Sequence, residues 1–314
     1  MPEPTDDKLF LVTSQGYTAT KWAAWALNSH PLIFCNHWLG GKASDSPLTL
    51  GDLRTLYPNQ EPMESDAGLQ GFLSKLRHEA FGESKVYAGN VGGYCIRELD
   101  AFYKQKKHED GLRTVNIIRH PIQWVASGVN MWTKQCKAKP SIQEMEDRHM
   151  EENRETYARL GVPEKPEPSA RAFCFLSGEM MELAYDASVP WAKHYRMEDI
   201  TRDRQAFAGM VRDLTGLDVS KDGEYLERVF SKDPINYHNP HKAQDPEEQF
   251  RRWAPWQRRV YQYWMEKSGI RPLYEGFRYD MSQVKKPLEM MEMAAPGQQT
   301  NKPANPTTLG GGNR

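Results

Sequence analysis

The strongest constraint on the fold is an alternation of short apolar runs with stretches of helical spacing. Leu9 to Thr13 (Leu-Phe-Leu-Val-Thr) has strand character and is followed by a polar, Gly-containing turn from Ser14 to Ala19. Lys21 to Leu27 then reads as an apolar helix. Further strand-like runs lie at Leu32 to Cys35, Lys85 to Ala88, Thr114 to Ile118 and Trp191 to Tyr195. Helical spacing returns over Pro121 to Met131 and Asp203 to Leu214. Buried parallel strands read as continuous apolar runs, and strands separated by helices build βαβ units. The expected class is therefore α/β, three layers α/β/α around a central, mostly parallel sheet.

Residues 1–280 are expected to form one domain. Within it, 141–190 reads as a helical insertion whose first part, Ser141 to Gly161, is dense in charge and expected to be an exposed helix; Pro163, Pro166 and Pro168 interrupt it. From about Gln283 the pattern decays into Met, then Pro, Gln, Asn, Thr and Gly, so 281–314 is expected to be a largely disordered tail.

Composition removes several functions. Lys and Arg total 41 against 42 Asp and Glu, so no global basic field argues for nucleic acid or an anionic membrane. No run of about 18 apolar residues occurs, which argues against a membrane span. The acidic start lacks the basic segment of a secretory signal. Cys35, Cys95, Cys136 and Cys174 form no Cys-x-x-Cys pair, so zinc-ribbon and thioredoxin readings fall. A soluble, reduced, cytoplasmic protein is expected.

Two segments carry chemistry. The turn Ser14-Gln15-Gly16-Tyr17-Thr18-Ala19-Thr20-Lys21-Trp22 would aim backbone N–H groups and a helix N-terminus at one point, which suits an anion. Thr18 and Thr20 add hydroxyls and Lys21 a full positive charge. In the second, Asn116-Ile117-Ile118-Arg119-His120-Pro121, Arg119 leaves the C-terminal end of a strand, where open α/β sheets bind ligands. A guanidinium fork suits phosphate, and Ser127 follows two helical turns later.

Together these segments resemble the sulfotransferase family, which takes its sulfuryl group from 3′-phosphoadenosine 5′-phosphosulfate. That family's 5′-phosphosulfate loop has the form Gly-x-x-Gly-Thr-Thr-Trp or Lys-Ser-Gly-Thr-Thr-Trp. Thr18-Ala19-Thr20-Lys21-Trp22 matches it, with Ala19 in place of glycine and Lys21 in place of the second threonine. Its 3′-phosphate motif, an Arg with Pro two residues on and Ser eight residues on, is matched by Arg119, Pro121 and Ser127. His194 to Asp199 is similar to the family's Arg-Tyr-Glu-Asp stretch, and Tyr237 to Trp253 to its C-terminal basic segment. The resemblance implies a P-loop NTPase-like sulfotransferase fold, that donor, adenosine 3′,5′-bisphosphate as product, and no metal. It implies donor contacts from Gly16, Tyr17, Thr18, Ala19, Thr20, Lys21, Trp22, Arg119, Ser127, His241 and Lys242. The partner would be a small-molecule or glycan acceptor, its hydroxyl or amine taking the sulfuryl group; a homodimer stays open.

Several positions depart from the family pattern. Many members have a Lys where this chain has Tyr17; Lys21 is the substitute cation. Many place a histidine base after the third strand, where this chain reads Gly89-Asn90-Val91-Gly92-Gly93. Other branches take a base from beyond the second strand, which makes His37 the candidate base here. Trp22 reads equally well as core filler, and the Trp residues at 253, 256 and 264 as core beside a solvated face bearing Arg251, Arg252, Arg258 and Arg259. Clustered His238 and His241 lack a third ligand of zinc spacing. Two alternatives stand beside the sulfotransferase. A nucleotide kinase or NTPase would want Gly-Lys followed by Ser or Thr, and Trp22 follows Lys21. The other is a catalytically silent protein that keeps the nucleotide site.

Overall fold

The structure, a computed structural model, describes residues 8–14, 16, 18–37, 66–92, 112–138, 140–231 and 245–282. Strands β1 (Leu9–Thr13), β2 (Ile33–His37), β3 (Tyr87–Val91), β4 (Arg113–Ile118) and β5 (Lys193–Arg196) form one sheet in the order β2-β3-β1-β4-β5. Every pairing in it is parallel. The three strands β1, β2 and β3 are buried along their whole length, and β1 accordingly reads as a near-continuous apolar run rather than an alternating one. At the edge, β5 is only partly covered.

The register sorts side chains between two faces. Phe10 and Val12 of β1 share a face with Val115 and Ile117 of β4, and α1 (Thr20–Asn28) lays Trp22, Ala23, Ala26 and Leu27 against them. The helix α9 (Arg204–Thr215) completes that layer with Phe207, Met210, Val211 and Leu214. Asp203 caps it, its side chain accepting from Gln205 N–H, as this residue type does at a helix start. On the other face Leu9, Leu11, Phe34 and Ala88 meet Leu73, Leu76 and Ala80 of α2 (Asp66–Gly82). Gly89 allows the ring of Phe10 to lie flat on β3; a Cβ there would overlap the ring. The architecture is thus three layers, α/β/α.

A larger helical core adjoins the second face. It joins Ile118 and Ile122 to α3 (Pro121–Ala138), α6 (Pro168–Gly178), α7 (Met180–Ser188) and α12 (Pro255–Ser268), with Phe173, Tyr261 and Trp264 at its centre. Each such side chain contributes about 1.5–3 kcal/mol by leaving water.

Local differences from the sequence reading have physical causes. The charged stretch at 141–161 is two helices, α4 (Pro140–Glu152) and α5 (Arg154–Arg159), and one side of it is buried. Tyr157 is 2% exposed; its hydroxyl donates to Cys174 O at 3.2 Å and accepts from Trp264 Nε1 at 3.1 Å. Glu146 is equally buried and pairs with Arg171. The Arg- and Trp-rich stretch from Arg251 to Trp264 is not one helix: α11 (Pro246–Arg252) is capped by Trp253, and α12 starts at Pro255. Pro255 forces Ala254 into an extended conformation, so the chain bends there. Trp253 and Trp264 are core, while Arg251 and Arg252 are exposed and pair with Glu247 and Glu248. β2 runs on to His37, two residues beyond the apolar run. Among the described residues no helix is long and apolar enough to cross a membrane. The expected tail lies outside the described residues.

Candidate functional site

The strand order itself selects a place for a ligand. After β1 the chain leaves through α1 on one face towards β2; after β4 it leaves through α3, which packs on the other. Neighbouring strands whose connections part in this way open a crevice at their C-terminal ends. There Thr13 lies in register with Asn116, and Thr13 Oγ1 donates to Asn116 Oδ1 at 3.1 Å. Asn116 Nδ2 faces His194 Nδ1 at 3.3 Å, and the far ring nitrogen of His194 faces Val189 O at 3.3 Å. The chain of bonds is consistent if His194 is neutral with its proton on Nε2, since Nδ1 must then accept.

The loop after β1 is tightly tied. Gly16 has φ 76°, its N–H donates to Ser14 Oγ at 3.2 Å, and its carbonyl accepts from the Trp124 indole of α3 at 3.2 Å. Ala19 takes the left-handed conformation, φ 56° and ψ 30°, at the N-cap of α1. Alanine stands where the family pattern has glycine, and the geometry accounts for glycine there. Among the described residues no side chain caps α1, whose N-terminus lies at the loop's end of the crevice.

Thr18 and Arg119 meet on one cavity of about 10 Å³, the room of one water. Asn116, Trp124, Asp186 and Tyr274 share its lining. Among the described residues, Thr18 Oγ1 and the Tyr274 hydroxyl are buried with no hydrogen-bond partner. Orphaned buried polar groups of this kind are costly unless a ligand or water meets them. Arg119 is 7% exposed. Burial pulls its guanidinium below the usual value, while neighbouring Glu198 and Tyr279 push it back up, so the charge is kept.

The remaining sequence candidates are distributed around this centre. Lys21 is half-buried in the first turn of α1. His37 ends β2 rather than following it, and its Nε2 lies 3.0 Å from Thr20 Oγ1. Burial, and next the charge of Lys21, lower its pKa to about 3, so at neutral pH the ring is uncharged. A base matched to neutral conditions titrates nearer 7. Ser127 is buried on α3 and does not line the cavity. Trp22 packs in the core under α9, its ring 5.5 Å from Phe207 in an edge-on contact, with its indole nitrogen unbonded. Tyr17, Gly93, His241 and Lys242 lie outside the described residues. Among the described residues no group of three His, Cys, Asp or Glu is placed to hold a metal.

Sequence reasoning did not identify Trp124, Asp186 or Tyr274 as parts of the site. Trp124, one turn into the helix after Arg119, carried the nearest thing to a signal. Asp186 and Tyr274 come from α7 and α13 (Ile270–Gly276), distant segments with no shared spacing.

No protein-family model matches the chain, and no curated protein does. Among solved structures it is similar to the sulfotransferase domain from the curacin biosynthetic pathway. The TM-score is 0.39 at 13% identity, covering 89% of this chain and 99% of that one. It is also similar to the sulfotransferase domain of the Synechococcus PCC 7002 olefin synthase, with a TM-score of 0.36 at 15% identity, covering 89% of this chain and 96% of that one. Both likenesses are distant, and the case for a function rests on the chain's own residues.

Proposed function

We propose that the chain is a sulfotransferase, moving a sulfuryl group from 3′-phosphoadenosine 5′-phosphosulfate to a hydroxyl or amine of a small-molecule or glycan acceptor. One observation carries the reading: Thr18 and Arg119, from the two segments that resemble the family's phosphate motifs, line one cavity at the strand-order switch point. The residues present suit an anionic nucleotide. Among the described residues Thr18 Oγ1 is buried and unbonded and no side chain caps α1, while Lys21 and Arg119 supply two positive charges.

When bound, the donor supplies the transferable sulfuryl group and a phosphate leaving group. Thr18, Thr20 and the uncapped N–H groups of α1 hold its 5′ end, with Lys21 favouring negative charge as it grows there. Arg119 and Ser127 hold the 3′-phosphate. His37 takes the acceptor proton. Burial is the larger cause of its low basicity in the ligand-free chain, and a bound anion would offset only the lesser contribution of Lys21.

Thermal melts and turnover test this directly. Adenosine 3′,5′-bisphosphate should raise Tm, and ATP with Mg²⁺ much less. Incubation with labelled donor against an acceptor panel, read by mass spectrometry, should show sulfated product. Equal or greater stabilisation by ATP–Mg²⁺ would count for a kinase, and bisphosphate binding without product for a silent nucleotide-binding protein.

A further inference from the structure

Arg119 lies between two peptide groups that face the same pair of side chains. On one side of it Ile118 O is 3.2 Å from the Tyr279 hydroxyl; on the other, His120 N–H donates to Glu198 Oε1 at 3.2 Å. The Tyr279 hydroxyl and Glu198 Oε2 close the ring at 2.7 Å. A phenol has a single proton, and the nearer, charged acceptor takes it. Burial together with Glu198 keeps Tyr279 in the protonated, donating form.

Tyr279 is itself held from several directions. Its ring stacks on Tyr274 at 5.4 Å and lies under the Arg196 guanidinium at 4.4 Å. Arg196 Nη1 donates to Arg278 O at 3.1 Å, and the His120 ring faces Asp280 O at 3.2 Å. The segment after α13 is therefore fastened across the ends of β4 and β5. Glu198, at the start of α8 (Met197–Ile200), is also a group whose negative charge acts on the Arg119 guanidinium.

We propose that Glu198 and Tyr279 are positioning residues that fix Arg119 at the end of β4, so that 3′-phosphate affinity depends on the segment after α13. The proposal rests on the reading of Arg119 as the 3′-phosphate ligand. A guanidinium recognises phosphate through a rigid fork on a long, flexible stem, so its orientation must be imposed from outside. Glu198 imposes it through its bond from His120 N–H and through its charge, and Tyr279 does so by donating to the Glu198 carboxylate and holding it in place. Neither lines the cavity.

The test compares adenosine 3′,5′-bisphosphate with adenosine 5′-monophosphate, which lacks the group Arg119 would meet. Tyr279→Phe and Glu198→Ala should each weaken the bisphosphate about tenfold, the scale of one well-placed hydrogen bond. Monophosphate affinity should not change. Glu198→Gln keeps the acceptor for His120 N–H and should restore bisphosphate affinity to within about threefold of the native chain. Unchanged bisphosphate affinity in folded Tyr279→Phe and Glu198→Ala overturns the proposal, as does equal weakening of both nucleotides. A urea-unfolding double-mutant cycle on Arg119→Ala and Glu198→Ala decides the pairing without any ligand. The two effects should be non-additive, and additivity overturns the proposal. Should the native chain bind the bisphosphate no tighter than the monophosphate while the cycle shows coupling, the 3′-phosphate reading fails and the clamp on Arg119 stands.

Discussion

His37 Nε2 and Thr20 Oγ1 lie 3.0 Å apart, joining the last residue of β2 to the first residue of α1. This contact places the candidate base against the first turn of α1, beside the loop after β1. His37→Ala should lower turnover by about 10²–10⁴-fold, the usual worth of a general base. Donor affinity should shift modestly, because Thr20 loses a neighbour. On the proposed reading, the acid limb of kcat/KM for the native chain should sit well below the ordinary histidine value, since His37 stays neutral until pH approaches about 3. Steady-state rates across pH check both; near-normal turnover in His37→Ala would remove the residue from the mechanism.

Acid should destabilise the fold through its histidines. His30, His37, His120, His149 and His194 all titrate below the normal value, with burial the largest cause in each. An unfolded histidine takes its proton near pH 6.5, so between that pH and the lower folded values the unfolded chain binds more protons. Stability is full above about 6.5 and is lost as pH falls through this window, by about 1.4 kcal/mol for each unit of separation. Urea midpoints at pH 7.5 and 5.5 measure the loss, and His194→Gln should make it smaller. Equal midpoints would contradict the burial argument.

Arg119→Ala should weaken bisphosphate binding by roughly 1.5–3 kcal/mol, the scale of a lost charge-assisted bond, and Ser127→Ala by about 1 kcal/mol. The Arg119 variant should also melt earlier, because Glu198 would lose its cationic neighbour in a buried setting. Calorimetric titration on the folded fraction separates these effects. A destabilised Arg119→Ala protein with native affinity would make the residue purely structural.

Ala19→Gly should stabilise the chain slightly. A non-glycine residue in the left-handed region costs roughly 1–2 kcal/mol, and the added freedom of glycine in the unfolded chain returns about 0.5–1 kcal/mol of that. The net gain, up to about 1 kcal/mol, is readable in urea unfolding. Ala19→Val should lose stability, since a branched side chain tolerates φ 56° less well.

The parts of the site that sequence reveals are those with local signatures. β1, its turn and α1 are legible because a strand buried on both faces leaves an unbroken apolar run. Arg119 is legible because Pro121 marks where β4 gives way to a helix. Asp203 announces α9 by its capping chemistry. What stays hidden depends on tertiary arrival. Asp186 and Tyr274 reach the cavity from helices whose sequences show only amphipathic packing. Tyr157 and Glu146 are buried within a charge-rich stretch, where an isolated buried residue does not disturb the pattern. The break at Pro255 has a readable signal, proline at a first helical position, but the run of Arg and Trp on both sides of it imitates one continuous helix.

The strand order also dictates a timetable. β1 is made first, yet its hydrogen-bonding neighbours are Ala88–Val91 and Arg113–Asn116, so it waits unpaired while much of the chain is synthesised. Contacts between distant segments form slowly because the loop between them must first close. The loop after β1 can take shape once β4 has emerged, but Tyr279 reaches Glu198 only after α13 is complete. A nascent chain on the ribosome would thus have the loop after β1 in place before Arg119 is fixed.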